Sequence, residues 1–333
     1  MLYKPYRSLI LILLAAVLLA GCGRTARKAD NEAVAVSQAA PEKKAEEPEK
    51  KDVPPPEEKM PDKNMGVITD TVVDVFRDAD VQSERVTQAI FNQPVTLLEE
   101  KETWVKVNVA DGYTGWIKSK HVERDLWSIH AREYQSRLII TAKTKKITSQ
   151  ARGGGTLKEV VLGTELYIVM KLENWYQVAL PGKMTGWVND SGTIILPADE
   201  KVPQTTAEDL VATANKFKGT VYLWGGVSPL GVDCSGLTYI CSRINGITLP
   251  RDADQQYNFI TAKVEKNVDL MKAGDFVFFS TKEDLKDVSH MGVYIGNGQF
   301  IHASKSKGSV TTNSLGEEYF KNRFVGVRRV FDK

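Results

Sequence analysis

One feature limits the fold of this 333-residue chain more than any other: a repeated pair of strand-like segments. Trp104-Val-Lys-Val-Asn-Val-Ala-Asp-Gly-Tyr-Thr-Gly-Trp116 and Trp175-Tyr-Gln-Val-Ala-Leu-Pro-Gly-Lys-Met-Thr-Gly-Trp187 both run twelve residues from Trp to Trp, both close on Thr-Gly-Trp, and lie 71 residues apart. Val105, Val107 and Val109 alternate with polar neighbours, as do Tyr176, Val178 and Leu180, which is the period of a half-buried strand. Asp111-Gly112 and Pro181-Gly182 supply the turns. Each repeat therefore predicts a small antiparallel barrel.

The segment before the repeats has a different composition. Lys4 and Arg7 precede an unbroken apolar run from Leu9 to Ala20, too short for a mature membrane span but suited to the apolar region of a signal peptide over residues 1–21. From residue 22 to 65 Lys, Glu and Ala dominate, and six of the chain's thirteen prolines fall between Pro41 and Pro61. Such a stretch has little apolar surface with which to offset its ordering entropy, so it reads as a disordered tether. Charge over the whole chain is balanced, 44 Lys+Arg against 42 Asp+Glu, which argues against a nucleic-acid partner. Three cysteines cannot build a disulfide scaffold, so Cys22, Cys234 and Cys241 each need a separate explanation.

A new pattern begins after Pro203. Thr205-Thr206-Ala207-Glu208 has the form of a helix-capping box, and Leu210, Val211, Ala214 and Phe217 make one helical face that Gly219 would end. In Gly231-Val232-Asp233-Cys234-Ser235-Gly236-Leu237, Asp233 is a suitable N-cap, and Leu237, Ile240, Cys241 and Ile244 form the apolar stripe of the helix that follows. Cys234 then sits in the first helical turn, where the macrodipole favours a thiolate. Cys241, on the apolar stripe, reads as a buried structural cysteine. His290 and His302 flank Met291–Ile301, a hairpin with Gly-Asn-Gly at its turn; folding about residue 296 brings them opposite each other to within one residue. One imidazole can accept the thiol proton while the other fixes its tautomer. No third metal ligand is spaced nearby, so no metal or cofactor is expected, and His121 and His130 read as ordinary rim histidines.

These residues carry three resemblances. Leu19-Ala20-Gly21-Cys22 resembles the lipobox of bacterial lipoproteins, which implies acylation of Cys22 and a membrane anchor, with the outer membrane mildly favoured in a two-membrane host because Gly23 follows the cysteine. Residues 66–125 and 136–198 resemble bacterial SH3-like domains, whose role is either spacing or binding: cell-wall polymer, or one wall of an active site. Residues 205–333 resemble the NlpC-type papain-like cysteine peptidases of bacterial cell walls, on Asp233-Cys234-Ser235-Gly236, the two histidines, Leu249-Pro250-Arg251-Asp252 with Gln255-Gln256, and Gly274-Asp275-Phe276. Two departures are Ala273 before Gly274, where relatives often have Pro, and Ala253, where substrate-binding relatives can carry Ser. The implied architecture is multidomain: two all-β SH3-like barrels, then an α+β papain-like peptidase domain.

The last resemblance implies roles. Cys234 would be the nucleophile, His290 the general base and then acid, and His302 the orienting third member; Tyr222 would assist the oxyanion hole. Tandem SH3-like domains narrow the resemblance to γ-D-glutamyl-L-diamino acid endopeptidases, which act on peptidoglycan stem peptides with a free amino-terminal L-Ala. In those enzymes carboxylates and a tyrosine hydroxyl hold the ammonium, here matched by Asp233, Glu84 and Tyr113, while Trp224 and Ser235 would line the groove. The partners implied are peptidoglycan stem peptides and, through Cys22, a membrane of the cell envelope. The alternatives are a hydrolase that remodels intact wall through wall-binding barrels, and a non-catalytic wall-binding lipoprotein.

Overall fold

A computed structural model describes residues 64–282 and 284–331; the signal-like run, Cys22 and the tether lie outside the described residues. No helix among the described residues is long and apolar enough to cross a membrane.

The repeat folds as two seven-stranded sheets with one topology. Numbering the strands of each in chain order, both run third, second, sixth, fifth, fourth, first, seventh. The first sheet begins at Met65–Ile68 and ends at Val122–Glu123; the second begins at Ser136–Ile140 and ends at Thr193–Pro197. Even the register is shared: Lys106 pairs with Trp116 in the first, and Gln177 with Trp187 in the second. The glycine before each second Trp has a steric cause. A Cβ at Gly115 would stand 2.6 Å from the Phe76 carbonyl oxygen, and one at Gly186 would stand 2.3 Å from the Ile147 side chain. At both positions only a bare backbone lets the sixth strand pack this closely. The alternating valines fill the barrel, Val105 and Val107 with Ile68, Val75 and Ile117.

The C-terminal region is a six-stranded antiparallel sheet with helices against it. In sheet order the strands are Lys263–Val264, Phe324–Arg328, Phe276–Phe279, His290–Gly296, Gln299–Ser304 and Ser309–Ser314. Helix α1 spans Ala207–Lys216, α2 spans Cys234–Ile244, α3 spans Ala253–Phe259, and a short α4 spans Glu318–Lys321. Leu237, Ile240, Cys241 and Ile244 of α2 join Leu210 and Ala214 of α1 and Phe276, Phe278 and Val293 of the sheet in one core. The α1 cap lies one residue later than expected, with Thr206 and Asp209, not Thr205 and Glu208, exchanging the capping hydrogen bonds. Val221–Leu223 does not form a full strand: Val221 and Tyr222 make only isolated bridges, to Ser309 and Val232.

The three regions interlock. Ile139 and Leu162 of the second barrel belong to the core built on α2. Phe91 of the first barrel belongs to the core of the second. Glu165 of the second barrel accepts from Arg243 of α2 and from Arg137 of its own barrel, each at 2.9 Å. The first barrel docks through Gln88, whose side-chain oxygen accepts from the Val227 backbone at 3.2 Å, and Arg85, which donates to the Trp224 carbonyl at 3.2 Å.

Candidate active site

Asp233 caps α2 as the sequence predicts: its carboxylate accepts from the Gly236 backbone N–H at 2.7 Å, which makes Cys234 the first helical residue. The same carboxylate also accepts from the Gly225 N–H at 2.8 Å and receives Arg251 in a two-pronged pair at 2.9 and 2.6 Å. Arg251 is 2 % exposed, and burying a guanidinium this deeply requires such a partner. With the Ser235 hydroxyl as a fifth donor at 3.5 Å, Asp233 has little capacity left to accept from a ligand. It fixes α2 to Arg251 and also lines the cavity beside Cys234.

The His290/His302 hairpin corrects one expectation. The ladder pairs Val293 with Ile301, so the two histidines are diagonal neighbours across it, not opposite residues. They meet because Gly292 carries no side chain; a Cβ there would stand 3.0 Å from the His302 Cβ. His290 Nε2 lies 2.7 Å from His302 Nδ1, and His302 Nε2 lies 2.9 Å from Asn313 Oδ1. Asn313 Nδ2 donates to both carboxylate oxygens of Glu317, at 3.0 and 2.8 Å.

That chain determines where the protons reside. Glu317 can only accept, so Asn313 presents its NH₂ to it and its oxygen to His302. His302 must then carry its proton on Nε2 and leave Nδ1 bare, which makes His290 the donor through Nε2–H. The free lone pair of His290 is therefore on Nδ1. Asn313 and Glu317 were not among the residues singled out in the sequence; no motif marks them, because they reach His302 only through strand pairing.

Cys234 is 8 % exposed and lines two cavities. The backbone N–H groups of Ser235 and of Met291, the residue after His290, favour its charged form. The thiol environment does not follow from the helix terminus alone. Burial, reinforced by the adjacent Asp233 carboxylate, pushes the Cys234 thiol up to about 12, against the opposing pull of those two N–H groups and Arg251. Burial and the neighbouring His302 push His290 down to about 3. Both shifts run toward the uncharged thiol and imidazole, opposite to the pull of the helix terminus on Cys234. Burial also raises the hydroxyl of Tyr222, which lines the same cavity as Cys234, His290 and His302.

On the other side of Cys234 a cavity of about 240 Å³ brings together Glu84, Tyr113, Trp224, Asp233, Ser235 and Asp252. Glu84 and Tyr113 come from the first barrel. Trp224 donates its indole N–H to Glu84 at 2.9 Å, and Arg77 pairs with the other Glu84 oxygen. The Tyr113 hydroxyl donates to Asp252 at 2.5 Å. Its ring is held by the turn before it, where the Tyr113 N–H donates to Asp111 and Thr87 donates to the second Asp111 oxygen. Asp252 is a further residue of the site whose importance lies in this contact. Four carboxylates (Glu84, Asp233, Asp252, Asp254) line the cavity against two guanidiniums (Arg77, Arg251), so it suits a cation. Among the described residues no cluster of three or more His, Cys, Asp or Glu is arranged to hold a metal.

Known proteins resemble this chain in sequence and in fold. The NlpC/P60 family profile matches residues 219–329, that of the bacterial dipeptidyl-peptidase SH3 domain residues 75–122, and that of the GW dipeptide domain residues 131–193. The chain is similar to the γ-D-glutamyl-L-lysine dipeptidyl-peptidase of Bacillus subtilis, 31% identical over 285 residues that cover 82% of this chain and 86% of that protein. Its similarity to the Bacillus cereus protein of the same name is 29% over 251 residues, 73% of this chain and 74% of that one. The crystal structure of an NlpC/P60 family protein from Bacillus cereus superposes with a TM-score of 0.72 at 24% identity, covering 80% of this chain and 99% of that one, and so shares its fold. With its two SH3-like barrels and its α+β C-terminal domain, this chain belongs to the NlpC/P60 family of cysteine peptidases.

Proposed function

We propose that the chain hydrolyses the γ-D-glutamyl–L-diamino acid bond of peptidoglycan stem peptides bearing a free amino-terminal L-Ala, releasing L-Ala-D-Glu. The observation that carries this reading is the acidic cavity beside Cys234, built partly by Glu84 and Tyr113 of the first barrel. A buried ammonium requires charged partners, and Glu84 and the Tyr113–Asp252 pair have acceptor capacity where Asp233 is occupied. The barrel closes that end of the cleft, which favours short peptides over strands still joined to glycan. The names of the two Bacillus relatives support the same bond.

In this reading Cys234 is the nucleophile and His290 the base. The Cys234 S–H proton passes to His290 Nδ1 and the sulfur attacks the γ-carbonyl carbon. The oxyanion is met by the Cys234 backbone N–H with Tyr222. His290 then returns the proton to the departing α-amine, and the C–N bond breaks to leave a thioester. Water, deprotonated by His290, hydrolyses that thioester. His302, held by Asn313 and Glu317, keeps the His290 lone pair on Nδ1 through each step.

The action of the relatives on cell-wall peptides supports a cell-envelope or extracellular location. We place attachment to a membrane through acylated Cys22 within the same proposal; a Cys22→Ala chain should leave the membrane fraction. Cys234→Ala should abolish hydrolysis of L-Ala-γ-D-Glu-L-Lys and of its diaminopimelate analogue, a loss of roughly 10⁴-fold or more, while Cys241→Ala retains most of it. The reverse pattern contradicts the assignment.

A further inference from the structure

The two cavities that share Cys234 differ in charge. The acidic one holds four carboxylates and does not include His290. The other, about 580 Å³, includes Tyr222, His290 and His302 and, among the described residues that line it, no carboxylate at all; its one permanent cation is Lys305. Its remaining polar lining is Trp224, whose indole N–H is taken by Glu84, and the hydroxyls of Ser280, Thr281, Ser289, Ser304, Ser306 and Tyr319. Asp287 accepts from Ser280 at 2.6 Å and from Thr281 at 3.3 Å, yet it stays behind those hydroxyls and is not part of the wall.

Lys305 is exposed, and among the described residues no ion pair engages its ammonium. The turn that bears it is nonetheless anchored. The Lys305 carbonyl accepts from the Gly308 N–H at 3.3 Å, Ser304 and Ser306 share a hydrogen bond at 3.1 Å, and the Gly308 carbonyl accepts from the Tyr222 N–H at 2.8 Å. Tyr222 in turn bridges to Val232, two residues before Cys234. Tyr319, on the wall of the same cavity, is held in place by Arg323, which stacks over its ring at 4.2 Å.

The reaction supplies the direction. The imidazole that protonates the departing amine must stand on the leaving-group side, and His290 lines only this second cavity. We infer that the cavity is the subsite of the leaving diamino acid and that Lys305 binds one of its carboxylates. This rests on the proposed bond specificity and deepens it. A lysine ε-ammonium would meet only hydroxyls and water here, whereas a carboxylate meets an ammonium as well. Two carboxylates qualify: the side-chain carboxylate of diaminopimelate, and the α-carboxylate of a third residue that ends the peptide.

The test measures kcat/KM for four substrates, L-Ala-γ-D-Glu joined to L-Lys or to meso-diaminopimelate, each with a free or an amidated α-carboxylate, in the wild type and in Lys305→Gln, Lys305→Arg and Lys305→Glu. The wild type should favour the substrate bearing the engaged carboxylate by about fivefold over its counterpart without it. Lys305→Gln should erase that ratio, Lys305→Glu invert it, and Lys305→Arg keep it. A ratio that follows diaminopimelate identifies the side-chain carboxylate, and one that follows the free α-acid identifies the terminal one; either supports the inference. Equal rate changes on all four substrates, or none, overturn it. Wild-type inactivity on all four would instead overturn the proposed bond specificity.

Discussion

The two barrels share strand order, register and Trp spacing, yet only the first reaches the reaction centre. Its fifth-to-sixth strand turn carries Asp111, Gly112 and Tyr113, and Tyr113 extends to Asp252 of the peptidase domain. At the same turn, 71 residues on, the second barrel has Gly182, Lys183 and Met184, and Met184 is 60 % exposed. The second barrel spends its interface differently: Ile139 and Leu162 enter the α2 core, Glu165 binds Arg243, and Lys216 of α1 donates to the Thr141 carbonyl at 2.9 Å. A duplicated fold has kept its framework residues in both copies while one turn acquired a substrate-facing role and the other copy became a brace. Framework and function are therefore separable in this molecule, and each can be perturbed alone.

Among changes that separate the two barrels, the largest expected effect belongs to the first. Glu84→Gln combined with Tyr113→Phe removes acceptor and donor from the acidic cavity and should lower kcat/KM on free-amine peptides by about 30- to 100-fold, since bonds to charged groups contribute about 2–3 kcal/mol. Met184→Ala, the matching position of the second barrel, should leave steady-state kinetics unchanged. Equal losses from both would erase the distinction between the copies.

The complementary change is in the brace. Leu162→Ala cuts a fully buried side chain out of the core shared with α2 and should cost about 3 kcal/mol in chemical denaturation, with the kcat/KM of the folded fraction preserved. If activity fell with stability untouched, the second barrel would have to act on the site directly.

Acid sharpens the contrast between barrels and peptidase domain. Burial, the main cause for both, holds the folded pKa of His290 and of His302 below the ordinary value near 6.5, so the unfolded chain takes up protons first. The stability from keeping these rings neutral is fully present above that value. It is lost as pH falls from there toward about 3, the value for His290. Hydrogen exchange between those limits should show the strands Met291 and Ile301 occupy losing protection before the barrel strands; simultaneous loss would mean the domains unfold as one unit.

Much of this was legible in the chain itself. Period-two apolar alternation and the matched Trp spacing specify barrels because side chains on a strand have only two directions to point. Asp233 before an apolar stripe specifies the start of α2, and with it the place of Cys234. What the sequence does not carry is the environment those elements make on packing. A helix terminus predicts a depressed thiol, but whether burial outweighs it depends on what closes over residue 234, and here burial wins. Saturation of Asp233 by Arg251, eighteen residues on, and the Asn313–Glu317 support of His302 arise from tertiary pairing that no local pattern encodes. The hairpin offset came from its turn, which is centred between Asn297 and Gly298 and not at residue 296; the irregularity beyond it brings the histidines one residue closer.

The central claim is that the first barrel completes a cation site beside Cys234, and acetylation of a single nitrogen tests it most directly. Rates on L-Ala-γ-D-Glu-L-Lys and on the same peptide acetylated at its amino terminus should differ by at least the factor lost in the Glu84→Gln, Tyr113→Phe chain, because the amide carries no charge for Glu84 and Asp252 to hold. Equal cleavage of the two peptides would contradict the account.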